Sequence, residues 1–376
     1  MKARKPDVVI IGGGVIGCSI AYHLSKEGAH VILIERELLA HQASGVAAGL
    51  LNPLAEAERP NPTVDLGIVS LKLHYDLAKE LEEDTGISVE YEQTPILRVA
   101  LTDSEEVSLR QTLSWQENLG LRVSWSSPEE LQRLEPGLSH NTLGGIHSQD
   151  EAQLEAYPYS LALARGAERH GARIVYAGVN GIRFEGDHVT GVETSEGIFH
   201  TNTAVVALGP WANLAENWLG FPVPVEPLKG QIIRVLPSPN TLNCIVFNKG
   251  DYVAPKRNGT ILMGTTEERV GFDTTVTIEG RSHIMQVGLS LVRGLQTADE
   301  IYAIAGLRPV TPDNLPIIGA LPYKEGIYLA TGHGRRGVVL SPATARAITD
   351  LILRGSTAMP IEPFSPARFI KSDSSK

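Results

Sequence analysis

Residues 7–11 (DVVII) form a short apolar run ending in Gly12-Gly13-Gly14, and no other feature of the 376-residue chain limits its fold as tightly. An apolar run of that length, bounded by glycines, reads as a buried strand. From Val15 to Lys26 the apolar positions Val15, Ile16, Ile20, Ala21 and Leu24 recur at helical spacing, and Gly28 stands where a helix-ending glycine belongs. Residues 30–34 (HVILI) give a second strand, and Glu35 follows. Strand, glycine turn, helix and strand make a βαβ unit. Each glycine of Gly12-x-Gly14-x-x-Gly17 has a task in it. Gly12 permits the tight turn, Gly14 lets a pyrophosphate approach the backbone, and Gly17 lets helix and strand pack closely. The helix opening at Val15 and Ile16 offers free N–H groups and a partial positive charge to phosphates. Glu35, 18 residues beyond Gly17, suits the ribose hydroxyls and disfavours a 2′-phosphate. A dinucleotide site is therefore expected, and NADP is not its occupant.

The motif lies at the N-terminus with most of the chain after it. That order suits FAD, whose long body draws on distant segments, better than NAD, although the fingerprint alone does not separate them. Length allows two domains. Hydrophobic residues are 42% and charged residues 20%, enough for a sizeable core. Lys plus Arg is 33 against 43 Asp plus Glu, so the net charge of −10 gives no global pull toward nucleic acid. Two cysteines, Cys18 and Cys244, exclude a disulfide scaffold and an all-cysteine zinc site. They fit a reducing compartment, read as the cytoplasm. His23, His30 and His41 do not fall at ligand intervals on one helix face, so no metal site is expected. No stretch reaches the roughly 18 apolar residues of a membrane span. Asp7 before the apolar run and glycines after it argue against a secretory signal.

Further helices are expected at 65–84, 104–118, 157–170, 278–295 and 342–354, with a capping box at Ser127-Pro128-Glu129-Glu130 opening another. Short strands are expected at 172–176, 180–184, 188–194, 197–200, 203–208 and 326–331, and Gly209-Pro210-Trp211 opens a helix. Runs such as QIIRV, CIVF, DYVAP and TILMG mark 226–264 as an antiparallel region. No low-complexity linker separates the two kinds of pattern, which suggests interleaved domains.

DVVIIGGGVIGCSIAYHLSKEGAHVILIER, SGVAAGLL, GTTEERVGFD, AGLRPVTPDNLPIIG and ATGHGRRGVVLSPATARAI occur in that order. Together they resemble the D-amino-acid-oxidase superfamily of FAD-dependent oxidoreductases over roughly residues 6–355, and GTTEERVGFD points to its glycine oxidase branch. The resemblance implies an α/β chain: a Rossmann-type FAD-binding domain interleaved with an α+β substrate domain built on a large antiparallel sheet. The expected division is 6–85, 151–222 and 309–360 for the FAD domain, and 86–150 and 223–308 for the substrate domain. It implies oxidation of glycine, sarcosine or a small D-amino acid to an imine, which hydrolyses to a 2-oxo acid and ammonia. Oxygen is the acceptor and hydrogen peroxide the by-product. In this branch the imine serves thiamine biosynthesis. Substrate and oxygen are the partners; a homo-oligomer is left open.

Residue by residue, the resemblance makes Arg308 the clamp on the substrate carboxylate, where a guanidinium gives two parallel hydrogen bonds. A structural arginine bridging loop carbonyls is the alternative. Tyr252 would donate its hydroxyl to the same carboxylate, and Arg335 would reach toward it, with Arg336 the less favoured of the two. The turn Gly332-His333-Gly334-Arg335-Arg336-Gly337, continuing to Val338, would face the flavin. Gly334 replaces a bulkier residue common in the family, which opens the pocket mouth and puts strict glycine specificity in doubt. Arg36, Ala43, Ser44, Ala48, Gly49, Leu50, Val179 and Gly209 complete the implied FAD contacts. Glu267 faces solvent or attracts the substrate ammonium. Neither cysteine lies near the C-terminal flavin loop, so the FAD is expected to be non-covalent. No side chain is an obvious general base, which suits oxidation of a neutral amine. The rivals are a D-amino-acid dehydrogenase with a quinone acceptor and the flavin subunit of a hetero-oligomeric amine dehydrogenase.

Overall fold

The computed structural model describes residues 5–237 and 242–370. The βαβ unit forms as read: strand Val8–Ile11, helix Val15–Lys26 and strand Val31–Glu35, the two strands parallel with Val8 opposite Val31. Among the described residues, six strands make one sheet in the order 317–320, 327–331, 204–206, 8–11, 31–35, 173–176. All neighbours are parallel except Ile317–Ala320 against Ile327–Thr331. Strand order reverses at Val8–Ile11, so a crevice opens beyond the carboxyl ends of Ile11 and Val206, where open α/β sheets take their ligands.

Helices Val15–Lys26, Pro62–Thr85, Ala156–Arg169 and Gly337–Arg354 pack as one layer on this sheet, around Leu24, Leu81, Tyr159 and Ile348. The last helix begins at Gly337, five residues earlier than the expected 342, and Pro342 lies inside it. An interior proline leaves the carbonyl four residues back without its donor. Here that carbonyl is Val338 O, and it accepts from His74 Nε2 at 3.1 Å and Ser341 Oγ at 2.8 Å. The helix tolerates the proline because another helix supplies the missing proton. The helix expected over 278–295 ends at Leu291, and Gly209-Pro210-Trp211 opens a 3-10 helix, Gly209–Ala215, rather than an α-helix.

The second sheet has eight strands among the described residues, in the order 299–310, 226–236, 261–264, 251–255, 245–248, 96–100, 144–148, 123–126. An antiparallel sheet is expected, and one pair departs from it: Ile245–Asn248 runs parallel to Ile96–Ala100. These two strands come from separate stretches of chain, so no hairpin dictates their direction. The long pair 226–236 and 299–310 sets Leu228 opposite Arg308. Strands from 96–148 and 226–310 thus build one sheet, while the first sheet takes its strands from before, between and after them.

Candidate active site

The crevice begins at the glycine turn. A Cβ at Gly12 would lie 2.4 Å from Ala207 O, and one at Gly17 would lie 1.9 Å from Gly12 O, so both must stay bare. Gly17 therefore packs helix on strand and does not line the crevice. A Cβ at Gly14 would meet only Ser44 Oγ, at 3.2 Å, so its open side is free for a ligand. Ser44 Oγ accepts from Val15 N–H at 2.9 Å, capping the helix from a distant loop. The N–H groups of Gly14 and Ile16, both of which line the crevice, make no hydrogen bond to the described residues and remain donors for an anion. Glu35 also shapes the turn: Oε2 accepts from Gly13 N–H at 2.7 Å and Oε1 from Glu37 N–H at 2.9 Å.

From there the crevice runs two ways. One arm is lined by Glu35, Arg36, Val179, Gly209 and Trp211. The Arg36 guanidinium lies 5.1 Å from the Trp211 ring centroid, a cation–π contact. The other arm is lined by Ala43, Ala48, Gly49, Leu50, Tyr252, Arg308, His333, Gly334, Arg335, Gly337 and Val338. Gly14, Ala43, Ser44, Ala207 and Gly209 border both arms, so the groove is continuous. An acid at one end, free N–H donors in the middle and a chamber at the other end fit an extended FAD.

Arg308 and Tyr252 both line the chamber, from strands 299–310 and 251–255 of the large sheet, with two strands between them. The Arg308 guanidinium donates to Thr266 O at 3.0 Å and to Thr265 Oγ1. It lies against Gly230, where a Cβ would fall 2.1 Å from Nη2. Among the described residues no carboxylate is within ion-pair distance of it. Burial, then the Arg335 charge, pulls its pKa below the usual guanidinium value, yet an arginine stays charged at any working pH. It is thus both the loop-bridging arginine and a partly buried cation with spare donors. The Tyr252 hydroxyl makes no hydrogen bond among the described residues and sits over Gly264, whose Cβ would come within 2.6 Å of it. Burial raises the Tyr252 pKa to about 12, against the pull of Arg335 and Arg308, so it stays a donor.

Arg335 is placed differently from its expected role. It lines the chamber, but Nε pairs with Glu56 at 2.7 Å, Nη1 with Glu267 at 3.3 Å, and Nη2 donates to Gly250 O. Burial opposes its charge, while Glu56, Tyr252 and Glu267 hold its pKa above the usual value. Its charge is already matched, so it is the mouth of the pocket rather than a second free clamp. Beyond it a wide vestibule opens, lined by Glu58, Lys249, Arg269 and Asn314 and sharing Glu56, His333, Gly334 and Arg335 with the chamber. Gly332 and Arg336 face this vestibule and not the cofactor groove. Gly334 has φ +55°, a conformation that favours glycine, and a Cβ there would meet only Val310 Cγ1 at 3.9 Å, so the mouth is left wide. His333 is buried and bonded to Thr344 Oγ1 at 3.1 Å, and burial lowers its pKa to about 3; it is neutral.

Sequence reasoning passed over Glu56, Gly230, Thr265 and Thr266. Only Gly230 carried a signal: a glycine inside the strand-like run KGQIIRV marks a close approach.

The signature of the FAD dependent oxidoreductase family matches residues 7–351. Glycine oxidase of Geobacillus kaustophilus is 33% identical over 371 residues, 98% of each chain. The hydrogen cyanide synthase subunit HcnC of Pseudomonas aeruginosa is 30% identical, covering 97% of each. The crystal structure of glycine oxidase from Geobacillus kaustophilus superposes with a TM-score of 0.93 at 33% identity, over 97% of this chain and 99% of that one. With its nucleotide groove, its full-length relatives and this shared fold, the chain belongs to the FAD dependent oxidoreductase family.

Proposed function

We propose that the protein is an FAD-dependent oxidase of small amino acids, taking glycine, sarcosine or D-alanine to the imine and then, by hydrolysis, to the 2-oxo acid. The observation that carries this reading is Arg308: a partly buried cation lacking an acidic partner among the described residues, at the same end of the groove as the unbonded Tyr252 hydroxyl. Such a site is complementary to one carboxylate. Arg308 takes the carboxylate, and Tyr252, neutral, donates to it. The chemistry that bound FAD supplies is acceptance of an electron pair from the amine and its return to oxygen, which leaves as hydrogen peroxide. Ile232 and Leu307 line the chamber with Val46 and keep it dry. The carboxylates at its mouth, Glu56 and Glu267, are held by Arg335, so no free base stands ready and the amine reacts in its neutral form. Orientation by Arg308 and Tyr252 then carries much of the rate. The glycine imine made this way is a precursor for thiazole formation in thiamine biosynthesis, and the cytoplasm is the compartment for that role.

The deciding experiment is oxygen uptake with glycine, sarcosine and D-alanine, with peroxide and 2-oxo acid measured together. Equal yields of both are expected. Flavin bleaching without peroxide, relieved by a quinone, would make the chain a dehydrogenase instead. The likeness to HcnC favours one second reading, a flavin subunit that works with partners. An isolated chain whose flavin no small amino acid reduces would establish that reading.

A further inference from the structure

The wall of the flavin chamber at residues 46–50 is held from behind by a lysine of the other sheet. Lys256 follows strand Asp251–Pro255, and its side chain is only 2% exposed. Its Nζ donates to Ala48 O at 2.7 Å and to Leu154 O at 3.2 Å. Gly49 O is occupied as well, accepting from Leu154 N–H at 2.9 Å. Lys256 does not line the chamber, whereas Ala48 and Gly49 do. The Ala48 carbonyl is therefore turned out of the chamber. The Ala48–Gly49 peptide is trans, so its N–H points the opposite way from its carbonyl. That N–H makes no hydrogen bond to the described residues. Gly49 has φ +74°, and a Cβ there would lie 2.0 Å from Leu154 O, so the conformation admits only glycine.

We propose that Lys256 is a positioning residue for the flavin: its ammonium clamps the Ala48 carbonyl, so that the Gly49 N–H stands fixed in the chamber as a hydrogen-bond donor, polarised toward the negative charge that flavin reduction brings. A fixed donor needs no reorganisation when that charge appears, and a cation on the carbonyl of the same peptide strengthens its N–H as a donor. The charged groups around Lys256 leave this clamp in place. Glu155 Oε1 lies 3.8 Å from Nζ, but both Glu155 oxygens accept from Arg234 Nη2, at 3.0 and 2.9 Å. Glu90 and Glu92 act from farther off, on the same side as Glu155 in sign, and Arg234 opposes them. Burial brings the lysine down to about 8, so the clamp is charged at neutral pH and loses its charge in mild alkali.

The test uses the FAD-loaded protein and reads cofactor affinity, visible spectrum and flavin midpoint potential, none of which needs turnover. Lys256→Met is expected to weaken the preference for reduced over oxidised FAD about tenfold, read as a potential about 30 mV more negative. Lys256→Arg keeps a cation and should recover at least half of that shift. In the wild-type protein the potential should fall more steeply above pH 8 than below it, and Lys256→Met should lack this inflection. The wild-type titration needs no variant to fold. A wild-type potential with no inflection between pH 7 and 9 would overturn the proposal. So would a Lys256→Met protein that loses thermal stability while keeping the wild-type spectrum and potential, since the lysine would then only join the two sheets.

Discussion

Arg308 is surrounded by neutral oxygens, and its chemistry follows from that. The carbonyls of Lys229 and Thr266 and the Thr265 hydroxyl hold its guanidinium in place without cancelling its charge. Arg308→Ala would leave the substrate carboxylate in a dry pocket with no cation, at a cost of about 2–5 kcal/mol. Steady-state oxygen uptake should show kcat/KM falling about 30- to 5000-fold, with FAD content unchanged. Arg308→Lys should rescue only part of the loss, because an ammonium lacks the two-pronged geometry. Gly230→Ala is a finer probe of the same residue. The new methyl group would occupy the place of the guanidinium, which must swing away. A fall of about 10-fold or more in kcat/KM on glycine is expected, with little change in melting temperature. Near-normal kcat/KM in Gly230→Ala would mean that the clamp works from another position.

At the level of elements, the helix Gly337–Arg354 depends on a residue far away in sequence. Val338 O and Val339 O both lie 3.1 Å from His74 Nε2, so that nitrogen carries the proton, and Nδ1 is buried with no partner. A second proton would put an uncompensated charge there, and burial lowers the His74 pKa from 6.5 to about 4. The unfolded chain therefore binds the proton more readily between those values. Stability contributed by neutral His74 is full above pH 6.5 and is lost as pH falls toward 4, by about 3 kcal/mol. Chemical denaturation of wild type and His74→Gln at pH 7 and pH 4.5 checks this. The wild type should lose more on acidification than the variant, and the variant should be weaker at pH 7 by about 1–3 kcal/mol. The helix expected from 342 would open on Pro342, where a proline costs nothing; the observed helix carries it in its interior. A histidine 268 residues earlier, at position 74, removes the penalty, and no local pattern announces such a partner.

Across the whole molecule, the groove is built where the two sheets face each other. The parallel sheet supplies the glycine turn and Glu35, and the large sheet supplies Tyr252 and Arg308. Neither cysteine is placed to bond a flavin: Cys18 donates to Gly13 O behind the turn, and Cys244 is in the core of the large sheet. Acid precipitation should release all the yellow colour into the supernatant; colour in the pellet would mean a covalent link. No helix among the described residues is long and apolar enough to cross a membrane. Two parts of this were legible in the chain itself. The βαβ unit is local, since strand, glycine turn, helix and acid lie within 35 residues and each follows from backbone sterics and periodicity. Arg308 and Tyr252 could be named from the family resemblance, and both line the groove. The pairing of Arg335 with Glu56 and Glu267, the seat of Arg308 on Gly230 and the Lys256 clamp on Ala48 could not be read. Each joins segments tens to hundreds of residues apart, and charge compensation depends on distance in space, which the linear order of residues does not contain. The sequence by itself determined the βαβ unit and its glycine turn, because strand, turn and helix follow from local periodicity and sterics. Only the tertiary structure decided which of the two arginines is paired with carboxylates, because an ion pair depends on distance in space.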